Sequence, residues 1–231
     1  MRGRKLADAL GRVIALRAEL ETDAQHQKRW LAIKQWQIER LRATYADLLA
    51  TDRYRAAAEF FLEELYGAKD VDQRDAEAQK VAPKLAGVLP ARAVDALLLA
   101  VQLEEMAERF DIEMARSIKL PITAESYAEV YRATGTEAER VRQIELADRI
   151  GKALEKLAKV PMLSGMLHMM KAPAALWGLS HLHRFLQRGF DAFVGMRGAR
   201  EFLQTTNRRE LAINERLFAG DPEPFRPVEE T

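Results

Sequence analysis

The chain has 231 residues, 48% of them hydrophobic, and its 36 Lys and Arg nearly match its 35 Asp and Glu, leaving a formal net charge of +1. That content can bury a substantial core in one large domain or two small ones, and the charge balance argues against a dedicated nucleic-acid surface. With no cysteine, disulfides, a thiolate nucleophile, a CxxC redox pair and cysteine metal sites are all excluded.

Apolar residues recur at helical spacing along nearly the whole chain, and period-two runs of β-branched residues are missing. This predicts an all-α, multi-helix bundle of about nine helices, a single domain over residues 1–220 with an extended tail over 221–231. Arg2, Arg4 and Lys5 give a basic tip, but Asp8, Arg12, Arg17 and Glu19 interrupt the stretch that follows, so it lacks the apolar region of a signal peptide. No uninterrupted apolar run reaches the ~18 to 20 residues needed to span a bilayer. The default expectation is a cytoplasmic protein.

The long N-terminal helices are expected within residues 4–50: one from about Arg4 to Glu21, and a second started by a Thr22/Gln25 capping box. Leu31, Ile38 and Tyr45, with Leu41 and Leu48, repeat at seven-residue spacing in that second helix and predict a coiled-coil-like seam. The next helix, 53–66, carries Ala57, Ala58, Phe61, Leu62, Leu65 and Tyr66 on one arc and Glu59, Glu63 and Glu64 on the other. Phe60 falls among the acids, so a second element must cover it. Gly67 can end the helix, and Asp70 or Asp72 can cap the next, in which Pro83 is expected to cause a kink or a stop.

The string from Phe60 to Gly67, Phe-Phe-Leu-Glu-Glu-Leu-Tyr-Gly, resembles the defining string of the FFLEELY-motif proteins, a bacterial family. The resemblance extends through Lys69-Asp70, Arg74-Asp75 and the run from Leu217 to Pro222. Ala68 stands where that family commonly has proline, a departure that bears on loop stiffness. The resemblance implies a helical fold and carries no activity with it.

The core helices are expected over 91–218. Pro90 suits the first turn of a long helix ending before Pro121, Thr123 caps a short one, Gly135 breaks it and Thr136 starts another that Pro161 closes. From Val160 to His183 the only formally charged side chain is Lys171, and Pro173 divides this apolar tract into two helices. A helix from about Ala199 to Phe218 completes the bundle.

Tests for chemistry return little. Di-iron sites need Glu-x-x-His pairs, and no Glu stands three residues before any histidine; Asp23-x-x-His26 is the nearest imitation and reads as a polar surface segment. His181 and His183 lie ~200° apart on a helix and cannot chelate one ion. Neither a Gly-x-Ser-x-Gly turn nor a Walker or Gly-x-Gly-x-x-Gly loop occurs. Glu63 and Glu64 read as solvated or salt-bridged. Arg197, Arg200, Arg208, Arg209 and Arg216 alternate with Glu201, Glu210 and Glu215, a charge-balanced surface rather than a nucleic-acid site. No catalytic residue and no metal ligand is assigned.

The apolar tract has two readings. In the first its helices are central and buried, as is usual for a helix apolar all round. In the second they line a pocket or exposed groove in which flexible Met side chains accept an acyl chain, a lipid surface or a partner helix. The chain is read as a non-catalytic helical interaction or regulatory protein, with a protein partner or a second copy as its target. The alternative is a binder of a hydrophobic ligand, a lipid chain or haem, with His168 among Met162, Met166, Met169 and Met170. No cofactor is expected beyond that alternative. The candidate contacts are Phe60, Tyr66, Met162, Met166, His168, Met169, Trp177 and His181, the last able to stack on Trp177.

Overall fold

The computed structural model describes residues 1–65 and 71–228. Among them lie twelve α-helices, ten of seven residues or more, and no strand, so the all-α expectation holds while the count exceeds nine. They are α1 (Arg2–Ala18), followed by a 3-10 turn (Glu19–Thr22), α2 (Ala24–Thr44), α3 (Ala46–Ala50), α4 (Asp52–Phe60), which runs on into a π-helical turn (Phe61–Leu65), and α5 (Val71–Val88). Then follow α6 (Ala91–Ser117), α7 (Ala124–Ala133), α8 (Glu137–Ala158), α9 (Pro161–Met169), α10 (Lys171–Leu176), α11 (Ser180–Gly195) and α12 (Arg200–Ala219).

Local chemistry accounts for most of the boundaries. Thr136 accepts a bond from the Glu139 amide at 3.3 Å while the Glu139 carboxylate accepts from the Thr136 amide at 2.9 Å, so two orphan donors at the start of α8 are satisfied reciprocally. Thr123 and Ser126 do the same for α7. Gly220, at φ 74°, turns left-handed and closes α12. At α2 the expected Thr22/Gln25 box is replaced by Asp23, whose carboxylate accepts from the amides of Gln25 and His26. Asp23 and His26 are therefore a cap, not a metal pair, and His26 Nε2 donates to the Ile112 carbonyl at 2.8 Å.

Three expectations fail for stated reasons. The second helix does not run to residue 50, because Tyr45 leaves helical geometry at φ −114°, ψ 24° and separates α2 from α3. The heptad seam fails at its N-terminal end: Leu41, Tyr45 and Leu48 are buried, but Leu31 is 47% exposed, and there α2 buries Trp30, Ile33, Lys34 and Gln37 instead. Pro83 does not end its helix, since α5 continues to Val88. There α1 lies so close that a Cβ on Gly3 would stand 2.8 Å from Pro83 Cα, so the neighbouring helix supports the segment that lost a backbone donor.

Helix α6 is the axis of the assembly, packed against α1, α2 and α8, with α11 laid across α4 and α5. One core cluster joins α4 to α11 and α12 through Tyr54, Phe60, Phe193 and Phe202; another joins α2, α6 and α7 through Trp30, Ile33, Met114 and Tyr127. The tail is held on this body rather than free: Pro224 is buried, and the Phe225 ring sits edge-on to Trp36 at 5.3 Å and to Tyr127 at 6.0 Å. Among the described residues no helix is long and apolar enough to cross a membrane.

Candidate functional site

The motif segment is gripped from two sides, as its helical wheel requires. Phe60 is 4% exposed and packs on Phe185 of α11 at 5.5 Å, against Gly189, where a Cβ would lie 2.7 Å from the ring. Phe61 turns the other way and stacks on Phe202 of α12 at 5.8 Å. Arg188, one residue from that glycine, ties Glu63 at 2.8 Å and also Glu64, so the acidic side of the motif is fastened to the same helix. The hydrogen bond that Arg188 donates to Glu63 raises its guanidinium above its ordinary range. Phe60, proposed as a ligand or partner contact, is thus interior packing, and Tyr66, Gly67 and Asp70 lie outside the described residues.

The apolar tract is not the centre of the bundle. Met162 is 84% exposed, Met169 75%, Leu176 85% and Trp177 63%, whereas Leu163, Ala174, Leu179 and Leu182 anchor the underside. The tract escapes burial because its helices are short: α9 ends at Met169, α10 spans six residues and Gly178 turns the chain at φ 67° before α11. Pro173 sits inside the first turn of α10, where a missing amide costs nothing, so the breaks fall elsewhere. Met166 is half-buried against Leu157, Leu163 and Phe190. His168 is exposed, its Nδ1 donating to the Ser164 carbonyl at 3.0 Å. His181 is held by Glu77 at 2.7 Å, and Glu77 also accepts the Leu182 amide at 2.8 Å, capping α11. From Lys156 to Phe190 the sequence has no Asp or Glu, and Lys156, Lys159 and Lys171 are exposed beside the apolar side chains.

A second feature lies inside. Helix α6 presents Glu104, Glu108 and Asp111 at successive turns, and three cations from other helices meet them. Arg17 reaches Asp75 at 2.8 Å, Glu108 at 3.4 Å and also Glu104; Arg74 reaches Asp75 at 2.8 Å and Glu104 at 2.5 Å; Lys34 reaches Asp111 at 2.7 Å and Glu108 at 3.1 Å. Trp30 and Gln37 donate to Glu108 and Asp111 at 3.0 and 2.8 Å. Burial raises the Glu108 carboxyl, but Lys34 and Arg17 outweigh it and leave the group below its ordinary range. At Glu104 burial wins, aided by Asp75 and against Arg74 and Arg17, and the carboxyl stands above its ordinary range. Among the described residues no group of three His, Asp or Glu side chains is arranged to hold a metal ion.

Lys34, Arg74, Asp75, Glu104 and Asp111 of this lattice also line an interior cavity of about 250 Å³, whose wall includes the apolar Leu10, Leu41, Phe61 and Leu203 and the polar Arg40, Arg140, Gln143 and Glu210. Glu210 accepts from Arg40 at 2.5 Å and from the Tyr45 hydroxyl at 2.7 Å. Arg140 is 3% exposed, its guanidinium between the rings of Phe110 at 3.8 Å and Tyr131 at 4.0 Å. A surface cavity of about 690 Å³ opens beside the tail, between Trp36, Asp47, Arg209 and Phe225. Neither cavity has a methionine or histidine in its wall. Arg209, considered for nucleic acid, is paired with Asp47 by two bonds of 2.7 Å.

The interior charges were visible in the sequence as misplaced residues. Lys34 and Gln37 fall on the same helical face as Trp30, Ile33 and Leu41, and Glu104, Glu108 and Asp111 follow Val101 at i+3, i+7 and i+10 on the face of α6 that also carries Val94 and Val101. Polar groups at core positions on two helices signal a buried lattice, since each needs a partner. Their pairing across residue separations of 30 to 91 has no local mark.

A family model described as Domain of unknown function (DUF8198) matches residues 16–224. No curated protein and no solved structure matches the chain.

Proposed function

We propose that this chain, which belongs to the DUF8198 family, acts by binding rather than by chemistry, and that α9 and α10 are its docking face for an anionic lipid surface. The observation that carries the reading is the exposure of Met162, Met169, Leu176 and Trp177 on a stretch whose charged residues are all basic. Large apolar side chains exposed singly are ordinary, but several exposed within one short stretch mark an interaction surface. An indole and flexible thioethers suit the boundary between headgroups and acyl chains, and Lys156, Lys159 and Lys171 suit anionic headgroups.

The magnitudes favour reversible attachment. Full burial of each large apolar side chain is worth ~1.5–3 kcal/mol, and each lysine near an anionic surface about 1 kcal/mol. Partial insertion of four side chains therefore supports peripheral binding, not spanning. Cytoplasmic residence and membership of the FFLEELY-motif proteins, carried by residues 60–67, belong to the same proposal. The Met/His pocket envisaged for haem or a lipid chain finds no support, because His168 lies on the surface and lines neither cavity.

Sedimentation with phosphatidylcholine vesicles, with and without phosphatidylserine, tests the reading. Binding to the mixed vesicles with a blue shift of Trp177 emission is expected, reduced at high salt and abolished by Leu176→Ser with Trp177→Ser. Absence of sedimentation with both vesicle types, or a native mass of two chains that persists until those two residues are changed, would replace the lipid surface with a protein partner.

A further inference from the structure

We infer that the interior cavity is a binding site for a small amphipathic monocarboxylate, with Arg140 as its anion anchor. The inference is independent of the docking face on α9 and α10.

The argument starts from the accounting of buried charge. Every carboxylate in the cavity wall already has a cation: Asp75 and Glu104 have Arg17 and Arg74, Asp111 has Lys34, Glu210 has Arg40 and Asp148 has Lys152. Among the described residues Arg140 has no carboxylate within ion-pair distance. Its Nη2 donates to the Thr134 carbonyl at 3.0 Å, its Nη1 makes only a long bond of 3.4 Å to Gln143, and its Nε is buried with no acceptor. Guanidinium groups do not lose their proton in proteins, so the charge persists. Two aromatic faces soften it without neutralising it. A buried cation without a counter-ion is costly, and the wall of a cavity is where a ligand could supply one.

The rest of the wall limits what that ligand is. Gln143 lines the same cavity, and Arg40 Nε is a second buried donor without an acceptor. Leu10, Leu41, Phe61 and Leu203 then ask for an apolar body. About 250 Å³ lies below the ~300–1,000 Å³ of sites for drug-sized molecules, so the ligand is small. A dianion is disfavoured, since among the described residues of the wall Arg140 alone lacks a carboxylate partner, while Glu104, Asp111 and Glu210 face the same space. A short to medium aliphatic or aromatic carboxylate fits all three limits. Charge and shape select it together.

The test uses decanoate and decanol as probes on the full chain, read by calorimetry and by the thermal midpoint. Decanoate is expected to bind and raise the midpoint, with decanol at least tenfold weaker, because a charge-assisted hydrogen bond separates the two. Arg140→Gln should bring decanoate down to the affinity of decanol. Arg140→Lys, which keeps the charge but loses the fork, should fall between. Inorganic phosphate alone should not raise the midpoint. Equal affinity of decanoate and decanol for the unchanged protein, or no binding of either, would overturn the inference even where a variant fails to fold. So would a folded Arg140→Gln protein that keeps full affinity, which would leave Arg140 as a support for the Thr134 carbonyl and the Phe110 ring.

Discussion

Gly189 determines how closely α11 approaches the motif, because a methyl group there would enter the Phe60 ring at 2.7 Å. The ring cannot swing away, being packed by Phe61 and Phe185 at 6.0 and 5.5 Å. Gly189→Ala is therefore expected to cost ~1–3 kcal/mol by overpacking, and Phe60→Ala ~3–5 kcal/mol by leaving a cavity. The two changes should couple. In the double variant the new methyl fills part of the space the ring vacates, so its destabilisation in urea should fall short of the sum of the single values. Strict additivity would mean that the glycine is not the ring's seat.

At the scale of elements, legibility followed the range of the interactions that fix each one. The starts of α7 and α8 were readable, since Thr123 acts on Ser126 and Thr136 on Glu139, each three residues on. The inward face of α2 was not, since Lys34 is buried only by virtue of Asp111 and Glu108 on another helix. The apolar tract misled in the same way: hydropathy reports what a segment would bury, not whether a neighbour is there to cover Leu176 and Trp177. The cavity left no sequence mark except the polar residues that border it. The tail is a further case, for an extended tail is expected over 221–231 and nothing in that reading shows that Phe225 docks on Trp36 and Tyr127. Phe225→Ala is expected to cost about 1–2 kcal/mol, less than for a fully buried ring, and to change Trp36 emission. A melting temperature and spectrum identical to those of the parent would mean that Phe225 does not hold the tail on the body.

Across the whole molecule the lattice of Arg17, Lys34, Arg74, Asp75, Glu104, Glu108 and Asp111 joins α1, α2 and α5 to α6, so its titration should govern global stability. Its signs differ from group to group. Glu108 is depressed in the folded chain, so its contribution is present above the ordinary glutamate value of ~4.3 and is lost as pH falls through the folded value. Lys34 is raised, burial being outweighed by Asp111 and Glu108, so its contribution is present below ~10.4 and lost as pH rises through the folded value. Glu104 is raised, so the stability linked to its proton is present below ~4.3 and lost as pH rises through its folded value. Two neighbouring acids on one helix are thus predicted to respond oppositely to the same substitution. Glu108→Gln leaves Lys34 and Arg17 short of a charge and should cost ~3–5 kcal/mol at pH 7, with a shallower loss in acid than the parent shows. Glu104→Gln removes a charge that burial already disfavours, so it should cost less at pH 7, and its deficit should grow as pH falls toward 5, because the parent gains from protonating Glu104 and the variant does not. Urea unfolding of both variants at pH 5, 7 and 9 separates the cases. Equal costs at pH 7 with parallel pH profiles would mean that the lattice holds its four carboxylates as equivalent charges, and that α6 is fastened by their number rather than by their individual surroundings.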